Sequence, residues 1–461
     1  MSAVLEPKPQ NQVRLAELIA ALSQALDITE GQPKGHAARS CWVGLSIGKF
    51  LNLRQDELSD LYYAILLKDL GCSSNAARIC AHYITDDLVF KNQFKKLDGS
   101  LPQVLNFVIT HSGMQATMAE KFRSILSTLR NGGELSRELM ETRCQRGAEI
   151  ARQMHFSERV ADTILNLDEH WDGTGQPEKL EGKAIPTFSQ IALMSQVVDV
   201  FFLGEGKETA IKAIQSRSGT WFAPNLVKAF LCVAKQDAFW QTLADPNLPQ
   251  DIVQYEPTQE HRLADEDYLD DIAKGFAQVV DSKSPFTAGH SDRVTIFADL
   301  IAEQLGLSES HRRWLRRAAL LHDIGKLGVS NAVLDKPGKL DDLEFAAIKK
   351  HPVYSRQILS NIAAFGDFVH VAGGHHERLD GKGYPDGLKG DQIDLETRIV
   401  TVADIFDALT ADRPYRAAMP VEKAMAIMDD MVGCAIDEKC YAALKKAVAK
   451  FDELPKATEL G

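Results

Sequence analysis

The stretch Ala318-Ala319-Leu320-Leu321-His322-Asp323-Ile324-Gly325-Lys326 sets a histidine beside an aspartate at the end of an apolar run. Both side chains are costly to bury unless something cationic or hydrogen-bonded compensates them, and both are metal-ligand types. Taken alone, the glycine and lysine that follow would equally suit an ordinary helix C-terminus. The rest of the C-terminal half argues for chemistry, because His290, His351, His375, His376 and Asp404 join the pair, most of them near Gly or Pro. Imidazole and carboxylate together suit borderline first-row metals such as Fe, Mn, Zn, Co or Ni. Seven ligands exceed the needs of one ion, so two ions sharing a bridging carboxylate are expected. Such a pair, roughly 3.5–4 Å apart, can activate water and clamp both the attacking and leaving oxygens of a phosphodiester. Lys326, Arg413 and Arg416 are the cations available to hold the phosphate; arginine grips it bidentately, lysine as a point charge.

These residues need helices to position them, and the pattern supplies helices twice. Leu18, Leu22 and Leu26 form one apolar stripe, followed by Gly35-His36-Ala37-Ala38-Arg39 and then Lys68-Asp69-Leu70-Gly71. The second half repeats the order with Ile272, Phe276 and Val280, then Gly289-His290-Ser291-Asp292-Arg293, then His322-Asp323-Ile324-Gly325. His290 stands 254 residues after His36, and Asp323 stands 254 after Asp69. Further on, Leu379-Asp380-Gly381-Lys382-Gly383-Tyr384-Pro385 repeats Trp171-Asp172-Gly173-Thr174-Gly175-Gln176-Pro177 at an offset of 208. The first copy therefore carries 46 extra residues, between about Asn75 and Arg143. Strand-like alternation is scarce, which predicts an all-α fold: two tandem helical bundles over 1–245 and 267–461, joined by a proline-containing linker at 246–266.

Composition bounds the rest. The chain has 461 residues, 45% hydrophobic and 25% charged, enough for more than one folded core. A net charge of −12 argues against general nucleic-acid binding, so no DNA partner is expected. Seven cysteines without a C-x-x-C pair fit reduced thiols, and Met1–Asn11 lacks the layout of a signal peptide. With no apolar run near the length of a membrane span noticed, the expectation is a cytoplasmic protein without a membrane partner.

From about Asp267 to the C-terminus the chain resembles the HD-GYP family of the HD phosphohydrolase superfamily. The matching stretches are Gly289-His290-Ser291-Asp292-Arg293-Val294, His322-Asp323-Ile324-Gly325-Lys326, His351-Pro352 and His375-His376-Glu377-Arg378 through Gly383-Tyr384-Pro385. Asp404-Ile405-Phe406-Asp407 and Arg413-Pro414-Tyr415-Arg416 complete the series. The resemblance implies an all-helical, metal-dependent phosphodiesterase of cyclic dinucleotides, most often cyclic di-GMP, with 3′,3′-cyclic GMP-AMP as the alternative substrate. It implies that His290, His322, Asp323 and Asp404 hold one ion, and that Asp323 bridges to a second held by His351, His375 and His376. Asp323 and Lys326 become catalytic, with Lys326, Arg413 and Arg416 on the scissile phosphate. Gly383, Tyr384 and Pro385 would form an exposed loop that can dock diguanylate cyclases of the GGDEF type, and a homodimer is compatible with the family. Relatives with three metals place a glutamate where this chain has Phe286, so two ions are expected. Ser355 replaces a glycine usual in the family.

The first copy retains His36 and Asp69 but has Lys68, Arg143, Leu167, Asp168 and Gln196 at the other ligand positions, and Gln176 for Tyr384. The Arg-Pro-Tyr-Arg segment has no counterpart there. Positive charge where a dication should sit predicts a degenerate regulatory domain, structural or binding an anion through Lys68 and Arg143. The competing functions are a general nucleotidase of the HD type and a non-catalytic scaffold docking through the Gly383–Pro385 loop.

Overall fold

The computed structural model describes residues 13–83, 86–88, 91, 137–257, 262–413 and 416–452. Most of the extra residues of the first copy lie outside this set, as do Pro414 and Tyr415. The chain forms two compact units, one built from Val13–Asp271 with Ser330–Ala332, the other from Ile272 onward. Both are helical, as the periodicity implies. Among the described residues the single sheet is a two-residue antiparallel ladder of β1 (Val13–Arg14) with β2 (Leu263–Ala264).

In the first unit α1 (Leu15–Thr29) packs on α2 (His36–Phe50) and α3 (Gln55–Leu66), which in turn pack on α4 (Thr187–Glu205). Leu18, Leu22 and Leu26 are fully buried, which is what their spacing on one face requires. By length and composition α4 could cross a membrane, although no such run was expected from the sequence. Its polar Gln190, Gln196 and Asp199 interrupt the run while leaving its mean hydropathy high, and two-thirds of its most apolar window is buried inside the fold.

Residues 246–257 of the segment expected to link the copies are folded structure of the first unit. Pro249 sits in the first turn of a short helix, Leu248–Asp251, where its missing N–H costs nothing. Leu248 and Ile252 are buried, and the Glu256 carboxylate accepts hydrogen bonds from Tyr63 and Arg14. The prolines thus start and end turns instead of marking a spacer. The division between the units falls inside α5 (Glu266–Asp281).

The second unit is organised around α6 (His290–Gln304), which packs against α7 (Glu309–Leu321), α11 (Leu395–Thr410) and α12 (Glu438–Asp452). Between them come α8 (Asp342–Ile348), α9 (His351–Leu359) and α10 (Val369–Gly374). Ser308 caps α7 by accepting from the His311 amide at 3.3 Å, and Arg312 and Arg316 on its outer face pair with Asp299. Its inner face, Leu315, Ala318, Ala319 and Leu321, is buried and delivers the chain to His322.

Candidate metal centre

The predicted ligands all come from helix ends or the middle of a buried helix. Gly289, at φ 65°, is the left-handed N-cap that lets His290 begin α6 while fully enclosed. His322 closes α7, and Asp323 opens the tight turn Ile324–Gly328. Gly325 in that turn is a packing requirement, since a Cβ there would lie 2.0 Å from the His351 carbonyl oxygen. The bare backbone lets α9 close on the turn. Ser355 then stitches the two together, donating to the His322 carbonyl at 2.9 Å and accepting from the Gly325 amide at 2.8 Å. The serine that departs from the family pattern is therefore part of the frame. His375 follows α10, and Asp404 projects from α11.

Three imidazoles are aimed by the same device. Nδ1 of His322, His351 and His375 donates to the carbonyl three residues earlier, at Ala319, Ile348 and Ala372, over 2.6–2.9 Å. A carbonyl can only accept, so the proton stays on Nδ1 and the Nε2 lone pair faces inward. His290 differs: its Nδ1 meets the Asp407 carboxylate at 2.7 Å.

The inward atoms converge on Asp323. Its Oδ2 lies 3.3 Å from Nε2 of both His290 and His322, and His290 Nε2 is 3.5 Å from Asp404. Its Oδ1 lies 3.3 Å from His351 Nε2 and 3.6 Å from His375 Nε2. His376 groups with His351 and His375. The two carboxylate oxygens thus face two donor sets. Donors bonded about 2.0–2.1 Å from a common ion sit at such separations from one another. Nε2 of His290 and His322 and Oδ1 of Asp323 are buried without a hydrogen-bond partner among the described residues, as atoms that serve a cation would be. The residues fit metal.

For His351, His375, His376 and the two carboxylates, electrostatics agree with that reading. Burial holds His351 down to about 3 and also lowers His375 and His376, so all three keep their lone pairs at neutral pH. Burial opposes ionisation of Asp323 and Asp404, but Lys326 with His322 and His290 outweighs it for Asp323, and His290 with His322 does so for Asp404, so both stay charged. For His290, burial is outweighed by the Asp323 and Asp407 carboxylates, which lift it to about 9.

The cations divide. Lys326 pairs with Asp323 at the edge of the cluster. Arg413 is mostly enclosed, 3.9 Å from Asp407, and its guanidinium is otherwise uncommitted among the described residues. Arg416, expected on the phosphate, donates to the carbonyls of Ala408, Leu409 and Ala417. Carbonyls at the end of α11 have no helical partner, and Arg416 satisfies them instead of reaching the cluster. The Gly383–Pro385 loop also differs from an exposed docking loop. The Tyr384 ring packs at 4.8 Å on the His376 ring, facing the ligands. Gly383 lies so close to Glu377 that a Cβ would meet its backbone at 2.5 Å, and Glu377 accepts from the amides of Asp386 and Gly387.

A family model described as HD domain matches residues 120–226 and 274–440, more than half of the chain. The chain is also 50% identical over 454 residues to 3′3′-cGAMP-specific phosphodiesterase 3 of Vibrio cholerae, spanning 98% of this chain and 99% of that one. This protein belongs to the HD-GYP family. Cyclic di-GMP phosphodiesterase response regulator RpfG of Xanthomonas campestris is 41% identical to this HD-GYP chain over 182 residues, covering 39% of this chain and 48% of that one. A crystal structure of a cyclic GMP-AMP-specific phosphodiesterase of V. cholerae, V-cGAP3, matches with a TM-score of 0.65 at 46% identity. That match covers 96% of this chain and 99% of the other.

The first copy of this HD-GYP chain repeats the frame without the chemistry. His36 Nδ1 meets Asp199 at 2.6 Å and Arg39 Nε meets it at 2.6 Å, duplicating His290, Arg293 and Asp407. Gly175 approaches Glu169 as Gly383 approaches Glu377. At the ligand positions, Lys68 pairs with Asp69 and Arg143 with Asp168, both pairs largely enclosed. The two cations expected to capture an anion are already neutralised by neighbouring carboxylates. The substitutions replace metal charge with internal ion pairs. Asp407, Arg293, Ser355 and Glu377 were not singled out from the sequence as site residues. The recurrence of His-x-x-Arg with a matched aspartate in both copies is the signal that finds the first two.

Proposed function

We propose that this chain is a metal-dependent phosphodiesterase that hydrolyses 3′,3′-cyclic GMP-AMP, using two divalent transition-metal ions held by His290, His322, Asp323, Asp404, His351, His375 and His376. The observation that carries the reading is Asp323, whose two oxygens face separate histidine sets at 3.3 Å. Sequence reasoning put cyclic di-GMP first. The full-length likeness to a 3′3′-cGAMP-specific enzyme favours the other substrate, since the likeness to RpfG covers only 39% of the chain.

When bound, the metals supply an activated water and neutralise phosphate charge. The chain's own residues do the positioning. Lys326 and Arg413 grip the scissile phosphate and stabilise the charge that grows on its oxygens. The inward-facing lone pairs of His322, His351 and His375 are fixed before ligand arrives, because their Nδ1 atoms are already committed to backbone. The linear dinucleotide is the first product. A homodimer and docking of GGDEF-type cyclases on the outer edge of the Gly383–Pro385 loop extend this reading. Tyr384 itself is committed to the site.

Hydrolysis of 3′,3′-cyclic GMP-AMP and cyclic di-GMP, measured side by side with Mn or Fe(II) under anaerobic conditions, tests the assignment. The mixed dinucleotide is expected to have a kcat/KM on the order of tenfold or more higher, about the discrimination that one or two base-specific polar contacts provide. Equal rates, or preference for cyclic di-GMP, would restore the other substrate.

A further inference from the structure

Helix α8 buries none of its residues. It is held in place by polar contacts, a capping box between Asp341 and Glu344 and the ion pair of Lys336 with Glu344. Yet it carries Leu343, 82% exposed, and Phe345, 45% exposed, so Phe345 is not a core residue. The Phe345 ring stands 6.5 Å from the Tyr384 ring at an interplanar angle of 74°, and Tyr384 leans on the metal-site His376. Lys349, just past the helix, places its ammonium 4.5 Å from the Phe345 ring centre and 5.3 Å from that of Tyr384. It has no carboxylate within ion-pair distance among the described residues. An aromatic wall with an unneutralised cation therefore leads outward from the ligands.

The first copy serves as an internal control. Counted back without a gap from the matched pair His351 and Arg143, Phe345 corresponds to Arg137 and Lys349 to Glu141, while Tyr384 corresponds to Gln176. Both rings are gone, and the cation has become an anion. Residues that merely hold the fold, Glu169, Gly175, Asp199 and Arg39, remain. The wall was lost together with the metal ligands, as a substrate contact would be.

We propose that Phe345, Tyr384 and Lys349 form a purine shelf on which one nucleobase of the substrate stacks while its phosphate lies at the histidine–aspartate cluster. The inference rests on the cyclic dinucleotide reading of that cluster. A purine offers a π-face to Phe345 whatever its hydrogen-bonding edge, and the Lys349 ammonium is positioned for a phosphate. The shelf supplies affinity for a base more than choice between bases.

The test uses the full chain loaded with Mn. Phe345→Leu keeps an apolar side chain and removes the ring. KM for 3′,3′-cyclic GMP-AMP is expected to rise about tenfold with kcat within about twofold, and Phe345→Trp to restore it. Independently of turnover, calorimetry with AMP, GMP and ribose 5-phosphate should show weaker nucleotide binding by Phe345→Leu and unchanged ribose 5-phosphate binding. Equal weakening of all three ligands, or of none, overturns the shelf. A wild-type chain that hydrolyses no cyclic dinucleotide but binds AMP in a ring-dependent way would sink the substrate reading and leave the shelf standing.

Discussion

Asp323→Ala is expected to abolish bound metal and turnover together. The carboxylate is the one group whose two oxygens face both donor sets, Oδ2 toward His290 and His322, Oδ1 toward His351 and His375. Its removal separates the sets and leaves Lys326 beside imidazoles, adding positive charge where cations should bind. The expected loss in kcat is on the order of 10³-fold or more, beyond what removal of a single transition-state donor costs. Elemental analysis of the purified variant should fall from about two ions per chain to a residual well below one. Because the groups around Asp323 repel one another without it and Lys326 loses its buried partner, the metal-free variant is expected to be less stable than metal-free wild type by about 3 kcal/mol. Thermal unfolding in chelator checks this. Retained metal with lost activity would make Asp323 a catalytic group alone. Retained activity would remove the dinuclear reading.

The sequence made some of this legible and hid the rest for physical reasons. Helices were readable because their apolar stripes recur every three to four residues, as at Leu18, Leu22 and Leu26. The grouping of these histidines and aspartates was readable because imidazole and carboxylate rarely end buried helices without a cause. Residues 246–257 read as a spacer because prolines and charges look alike in a spacer and in the first turn of a short helix; the buried Leu248 and Ile252 separate the two. Arg416 was misplaced because arginine bonds equally well to a phosphate and to stranded carbonyls, and which partner wins depends on where α11 ends. The Tyr384 ring was expected outside because the family resemblance implies an exposed loop there. A side chain's direction over a tight turn is set by packing that spacing does not reveal, here the Gly383 contact with Glu377.

The duplication gives the strongest handle on what Asp407 does. In both copies one buried aspartate accepts from a histidine Nδ1 and from an arginine three residues further along the same helix. In the first copy, which lacks the metal ligands, the arrangement can only hold α2 to α4. In the second it also fixes the ring of His290 and approaches Arg413 at 3.9 Å. Asp407 therefore positions, through one carboxylate, both His290, proposed as a metal ligand, and Arg413, proposed to hold the phosphate. A carboxylate has two acceptor oxygens, whereas an asparagine has one and adds donors that repel the guanidinium. Asp407→Asn cannot satisfy His290 and Arg293 together. Metal affinity, read by competition with a chelator, is expected to drop 10–100-fold. Asp199→Asn breaks the same geometry where Arg39 is more enclosed than Arg293, so its cost in stability is the larger, about 3 kcal/mol. Its metal affinity and kcat/KM should stay at wild-type values. A loss of metal affinity in both variants would mean that Asp407 acts only through the stability of the fold, and loss in neither would mean that His290 keeps its aim without a carboxylate behind it.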